Sequence, residues 1–145
     1  MRASLLYRIS SILLVLFAIG HTVGFSQIDP AWHVDSLVQS MKSVHFNVSG
    51  SDRTYWDFFF GFGLFVTVLI LFASIVAWQL GSLPPATLAT MRVSTWGFAV
   101  SFAVIAWLSW RYFFIIPIVF SIMIFLCLAA AAWFSGAQKL NASRF

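Results

Sequence analysis

Glutamate is absent from the 145 residues, and charged side chains make up only 8% of them. Soluble domains carry about 25%. Eight Lys and Arg with four Asp cannot cover a globular surface, which excludes a soluble enzyme. The apolar content excludes a disordered chain. The cations are scattered among long apolar runs rather than clustered, so nucleic acid is not an expected partner. Without Glu, the chain is neither an exporter built around an intramembrane Glu nor a helical-bundle glutathione transferase with Glu-containing motifs. The single cysteine, Cys127, permits no intrachain disulfide and no thiol oxidoreductase pair. In its apolar surroundings it reads as a packing residue. No HxxxH or HxxE pair occurs, and only His21 is expected inside a span, so haem held between two helices has no support. A zinc site from His21, His33 and Asp57 has no helpful spacing. Phosphate loops and nucleophile motifs are also missing. Neither a metal nor a cofactor is expected.

Apolar side chains dominate, at 61%, with 17 Phe and seven Trp. A bilayer core of about 30 Å takes about 20 apolar residues per helix. Four stretches qualify: about 5–25, 55–80, 91–110 and 117–135. The last two form one nearly continuous apolar run whose only charge after Arg92 at its start is Arg111. As one helix, 45 residues would reach about 67 Å, so the chain must reverse. Pro117 favours a helical first turn, which places the reversal at 111–116. The connecting Arg-Tyr-Phe-Phe-Ile-Ile is too apolar for an ordinary loop and belongs at the interface or inside protein. Arg2 and Arg8 ahead of an apolar stretch resemble a signal peptide, but the segment is read as span one. The sequence thus reads as one all-α membrane domain over 1–145, a polytopic four-transmembrane-helix bundle.

Orientation follows the cation bias. Arg2, Arg8, Arg92, Lys139 and Arg144 fall on one side. Lys42, Arg53 and Arg111 fall on the other, with all four Asp. Both termini are therefore expected in the cytoplasm.

The outer loop, 26–54, is the one long hydrophilic stretch. Asp29-Pro30 provides an N-cap followed by a first-turn proline. Val34, Leu37, Val38 and Met41 then recur at helical spacing, while Asp35, Gln39 and Lys42 occupy other faces. This predicts a short amphipathic interfacial helix over about 30–44, between spans one and two. Asn47–Ser51 reads as a loop, and Asp52 as the cap of the second span. The Asn47-Val48-Ser49 sequon reads as a chance match.

All three His and all four Asp lie between positions 21 and 57. Ionisable groups at membrane depth are costly and usually have partners. His21 near the end of span one, Asp57 near the start of span two and Arg111 at the turn between spans three and four are expected at one depth. Such charges can also simply cap helices or lock a bundle together. Gly20 and Gly24, Gly61 and Gly63, and Ser94, Gly97 and Ser101 read as close-packing faces. Trp32, Tyr55, Trp56, Trp110 and Tyr112 form an expected aromatic belt at the outer interface.

Three strings, GHTVGF at 20–25, RTYWDFFFGFG at 53–63 and SWRYFFIIPIVFS at 109–121, resemble a family of small four-span bacterial integral membrane proteins. The resemblance covers nearly the whole chain. It implies a bacterial inner-membrane protein and supplies no reaction. In size and span count the chain is also distantly similar to DoxX-like membrane proteins. Their motif has no residue-by-residue match here, so no site is carried over.

The residues point first to a protein that binds a hydrophobic or lipid-like small molecule at the outer-leaflet end of the bundle. His21, Asp57, Arg53 and Arg111 would supply polar contacts, and Trp56, Trp110 and Tyr112 the walls. One alternative is an intramembrane isomerase or cyclase, in which Asp57 and His21 exchange protons and aromatic faces stabilise a cation. Another is an accessory subunit of a larger membrane complex, or a homo-oligomer, whose apolar surface is an interface. Membrane lipid is a partner in every case. Transport is disfavoured, because the span centres lack charge.

Overall fold

The structure, a computed structural model, describes the backbone of residues 2–142 and side chains as far as Gly136. Helix α1 covers Arg2–Ser26. A 3-10 turn at Pro30–Trp32 and helix α2, Asp35–Ser43, follow. Strands β1, His45–Val48, and β2, Ser51–Thr54, form an antiparallel hairpin. Then come α3, Tyr55–Ser82, the short α4, Pro85–Thr90, α5, Arg92–Tyr112, and α6, Ile115–Ala142. Apart from the hairpin the described chain is helical. Among the described residues, four helices are long and apolar enough to cross a membrane: α1, α3, α5 and Ile115–Gly136 of α6. Of the cations used to orient the chain, Arg144 lies outside the described residues, and Lys139 lies beyond the described side chains.

The reversal between α5 and α6 is tighter than the predicted 111–116. Only Phe113 and Phe114 separate α5 from α6. Phe113 turns extended, while its N–H still reaches the Ser109 carbonyl at 2.9 Å. Pro117 is the third residue of α6. Its missing N–H costs nothing there, because first-turn N–H groups have no intrahelical partner. Helix α4 was not anticipated. Pro85 at its first position starts it, and Leu88 and Ala89 are buried.

The packing divides the chain into two compact units. One joins residues up to Phe17 with those from Ile70 onward; the other is Ala18–Leu69. In the first unit α5 lies along α6, and Tyr7, Leu14, Ile124 and Leu128 are fully buried. Phe17 stacks on Phe120 with centroids 5.6 Å apart. The α1–α3 contact is made of small residues. Ser11 and Ser74 hydroxyls meet at 3.0 Å, and Ser4 donates to the Gly81 carbonyl. Ser121 and Ser135 satisfy their buried hydroxyls on the carbonyls of Pro117 and Ala131, one turn back. Tyr7 is the exception. Its hydroxyl is buried beside Thr95 and Ser135 without a hydrogen bond of ordinary geometry among the described residues.

In the second unit the interfacial helix expected over 30–44 is divided in two. Asp29 does cap its proline start, accepting from the Ala31 N–H at 2.9 Å. However, His33 adopts φ 53 and returns its N–H to the Pro30 carbonyl, which ends the turn after three residues. The amphipathic helix proper begins at Asp35. Val38 and Met41 form its half-buried stripe, with Val34 just ahead of it, and Leu37 is exposed. The stretch 47–51, expected as a loop, is the hairpin's tip with its flanking strand residues.

Candidate functional site

The hairpin begins from its two-residue tip. Ser49 and Gly50 take φ 52 and 85, the paired positive values that match the twist of a tight hairpin. The Asn47 side chain accepts from the Gly50 N–H at 2.9 Å. The register pairs Phe46 with Arg53 and Val48 with Ser51, so these four side chains share one face. His45, Asn47, Asp52 and Thr54 share the other. On that second face His45 Nδ1 lies 2.8 Å from Asp52 Oδ2, an exposed pair of little energetic weight. Asp52 is thereby occupied and is not the cap of the second span.

Thr54 is the cap instead. It is buried, and its Oγ1 accepts from the Asp57 N–H at 3.2 Å. Asp57 Oδ2 accepts in return from the Thr54 N–H at 2.8 Å. This reciprocal capping box satisfies two donors and sets the start of α3 at Tyr55. A carboxylate in the first turn also complements the helix dipole.

Beyond Asp57, residues at one-turn spacing carry the site along α3. Phe58, Gly61, Phe62 and Phe65 follow on the same stripe. With Val48, Ser51 and Arg53 from the hairpin and Asp57 itself, they line a groove of about 360 Å³. Its polar end carries the Arg53 guanidinium and the Asp57 carboxylate, and its length is aromatic. Phe46, stacked on Phe58 at 6.0 Å and beside Tyr55 at 4.8 Å, fixes the hairpin against α3. Gly61 leaves its side of the groove open: a Cβ there would meet nothing within 4 Å. Arg53 also donates to the Asp52 carbonyl at 2.6 Å.

His21 sits elsewhere in the same unit. Its Nε2 lies 3.1 Å from the Gly63 carbonyl, which also accepts from Thr67. Thr22 and Thr67 hydroxyls meet at 2.9 Å. Phe25 covers the same glycine so closely that a Cβ at Gly63 would stand 2.7 Å from its ring. This polar ladder explains how α1 and α3 close on each other here. His21 and Asp57 therefore have different partners, and no hydrogen bond joins them among the described residues. Asp57 is exposed, not buried inside.

The remaining predicted residues are distributed as follows. Arg53 and Asp57 line the groove; Trp56 does not. Its ring lies under Lys42 Nζ at 4.4 Å and beside Phe59 and Phe60. Trp110, Arg111 and Tyr112 belong to the other unit, exposed at the end of α5, with the Arg111 guanidinium 5.5 Å from the Tyr112 ring. A cation there complements the carbonyl end of the helix. The aromatic walls identified here, Phe58, Phe62 and Phe65, were missed by the sequence reading. Their spacing from Asp57 was the available signal.

Of the predicted packing glycines, Gly63 is in close contact, whereas Gly20, Gly24, Gly61 and Gly97 have open space around them. Ser94 and Ser101 are exposed. No protein family, curated protein or solved structure matches the chain.

Proposed function

We propose that this chain is a multi-pass protein of the bacterial inner membrane, with cytoplasmic termini, that binds a hydrophobic or lipid-like small molecule in the hairpin–α3 groove. The observation that carries this reading is the groove's composition. Charged Arg53 and Asp57 stand at one end of a wall made by Phe58, Phe62 and Phe65. An amphiphile fits such a surface, with its head at the charges and its tail on the rings. The volume lies within the range of about 300–1,000 Å³ usual for small-molecule sites. The membrane setting is supported by α3, where Phe65, Val68, Leu69, Phe72 and Ile75 are all more than 60% exposed. Such a surface suits lipid and not water. The bacterial inner membrane rests on the resemblance of the three strings, and the orientation on the cation bias.

The isomerase or cyclase alternative draws no support from the geometry, since Asp57 caps α3 and His21 engages Gly63. Gly61→Leu tests the binding reading, because its Cβ would meet nothing within 4 Å and the rest of the side chain would occupy the groove. Titration with a fluorescent single-chain amphiphile should show binding to the parent protein and little to the variant, at equal helicity. Equal binding by both would remove the groove from consideration. For the orientation, Ser49→Cys at the hairpin tip should react with a membrane-impermeant maleimide on intact cells. Reaction only after the membrane is opened would invert it.

A further inference from the structure

The charges are distributed very unevenly between the two units. All four Asp lie within Ala18–Leu69. The described part of the other unit carries Arg2, Arg8, Arg92 and Arg111 and not one acidic side chain. Its cations have no carboxylate side chain of their own unit to neutralise them. Two of them, Arg2 and Arg8, line a groove of about 750 Å³ with Ala3, Ser4, Leu5, Leu83, Pro85 and Leu88.

The construction of this groove holds Arg8 against α3. Gly81 brings α3 so close to α1 that a Cβ there would lie 3.0 Å from the Ser4 carbonyl oxygen and 3.1 Å from Arg8 Cγ. Ser4 donates to the Gly81 carbonyl across the same contact. The Arg8 guanidinium is held 5.4 Å from the Trp78 ring centre. That stacking leaves its N–H donors unspent, because none is satisfied by protein among the described residues. Leu5 and Leu83 provide apolar lining in the same groove, over the buried Leu88.

We propose that this groove binds an anionic phospholipid, with the headgroup phosphate between Arg2 and Arg8 and the acyl chains on Leu5 and Leu83. Guanidinium groups suit phosphate oxygens, and basic pockets beside spanning helices are where anionic headgroups bind. A zwitterionic lipid would bring its own cation to a surface that already has an excess. The site depends on the membrane reading above but not on the hairpin groove or the orientation, and the test below keeps these separate.

The test is native mass spectrometry of the detergent-solubilised full chain, titrated with phosphatidylglycerol or phosphatidylcholine. The parent protein should bind phosphatidylglycerol more tightly. Arg2→Gln with Arg8→Gln should weaken that binding about thirtyfold, the effect of two basic contacts at a membrane surface, and leave phosphatidylcholine unchanged. Arg2→Gln alone spares the Trp78 contact and should give part of the loss. Arg8→Lys should keep the preference. Arg53→Gln, in the hairpin groove, should not alter it. Millimolar inorganic phosphate should fail to displace the lipid. Equal binding of the two lipids, an unchanged double variant of parental helicity, or displacement by free phosphate would overturn the proposal.

Discussion

The two units are held together by different means. Around Tyr7, Leu14, Ile124 and Leu128 the first is tightly packed, with serine and glycine contacts between helices. It has no acidic side chain. In Ala18–Leu69, Ala18 and Thr54 are the only buried residues. That unit holds its shape through a hairpin, a capping box and a polar ladder on Gly63. Close packing stabilises the interior of the first unit, whereas polar contacts frame the groove of the second. Polar contacts can define a surface that a close-packed core would fill.

The largest test of this contrast compares two large apolar truncations. Leu128→Ala should cost about 2–5 kcal/mol in unfolding of the solubilised protein, because it opens a cavity in a filled interior. Phe62→Ala, at a ring 61% exposed, should leave stability unchanged while weakening amphiphile binding. Equal destabilisation would erase the contrast. Glycine substitutions sharpen it further. Gly81→Leu should cost about 1–3 kcal/mol, since its Cβ would press on the Ser4 backbone oxygen. Gly61→Leu has free space and should gain up to about 1 kcal/mol from lost backbone freedom. Thermal melts of both variants read the opposite signs.

A smaller effect is expected at the start of α3. Thr54→Ala should cost about 1 kcal/mol and speed amide exchange in the first turn, whereas Asp52→Asn should alter neither. The smallest concerns the buried phenol of the packed unit. Tyr7→Phe removes a hydroxyl without a hydrogen bond and should be neutral or stabilising by up to about 1 kcal/mol. A clear loss of stability there would mean that Thr95 or Ser135 pairs with it.

The four long apolar helices were legible because apolar length is a strong and local signal. A reversal near Arg111–Ile116 followed from one charge and one proline in a run too long for a single helix, but its tightness at Phe113–Phe114 did not. The hairpin was not legible. Its strands are four residues each and mostly polar, so no alternating pattern marked them. Asp52 looked like the cap because Asp caps well. The hairpin register turns Asp52 toward His45 and leaves Thr54 at the helix start. His21 and Asp57 share a region of sequence, but a scarcity of ionisable groups does not specify their partners. Gly63 offers His21 a backbone carbonyl, which residue types do not reveal. Arg53 and Asp57 do share a groove, and its aromatic wall follows from helical spacing along α3.

Photolabelling addresses the central claim most directly. A diazirine-bearing amphiphile would be irradiated with the parent protein and with Gly61→Leu, and the adducts mapped by peptide mass spectrometry. Adducts concentrated between Arg53 and Phe65, and lost in the variant at a melting temperature no lower than the parent's, are the predicted result. Adducts spread evenly along α3 to Ser82 and unaffected by Gly61→Leu would contradict the account.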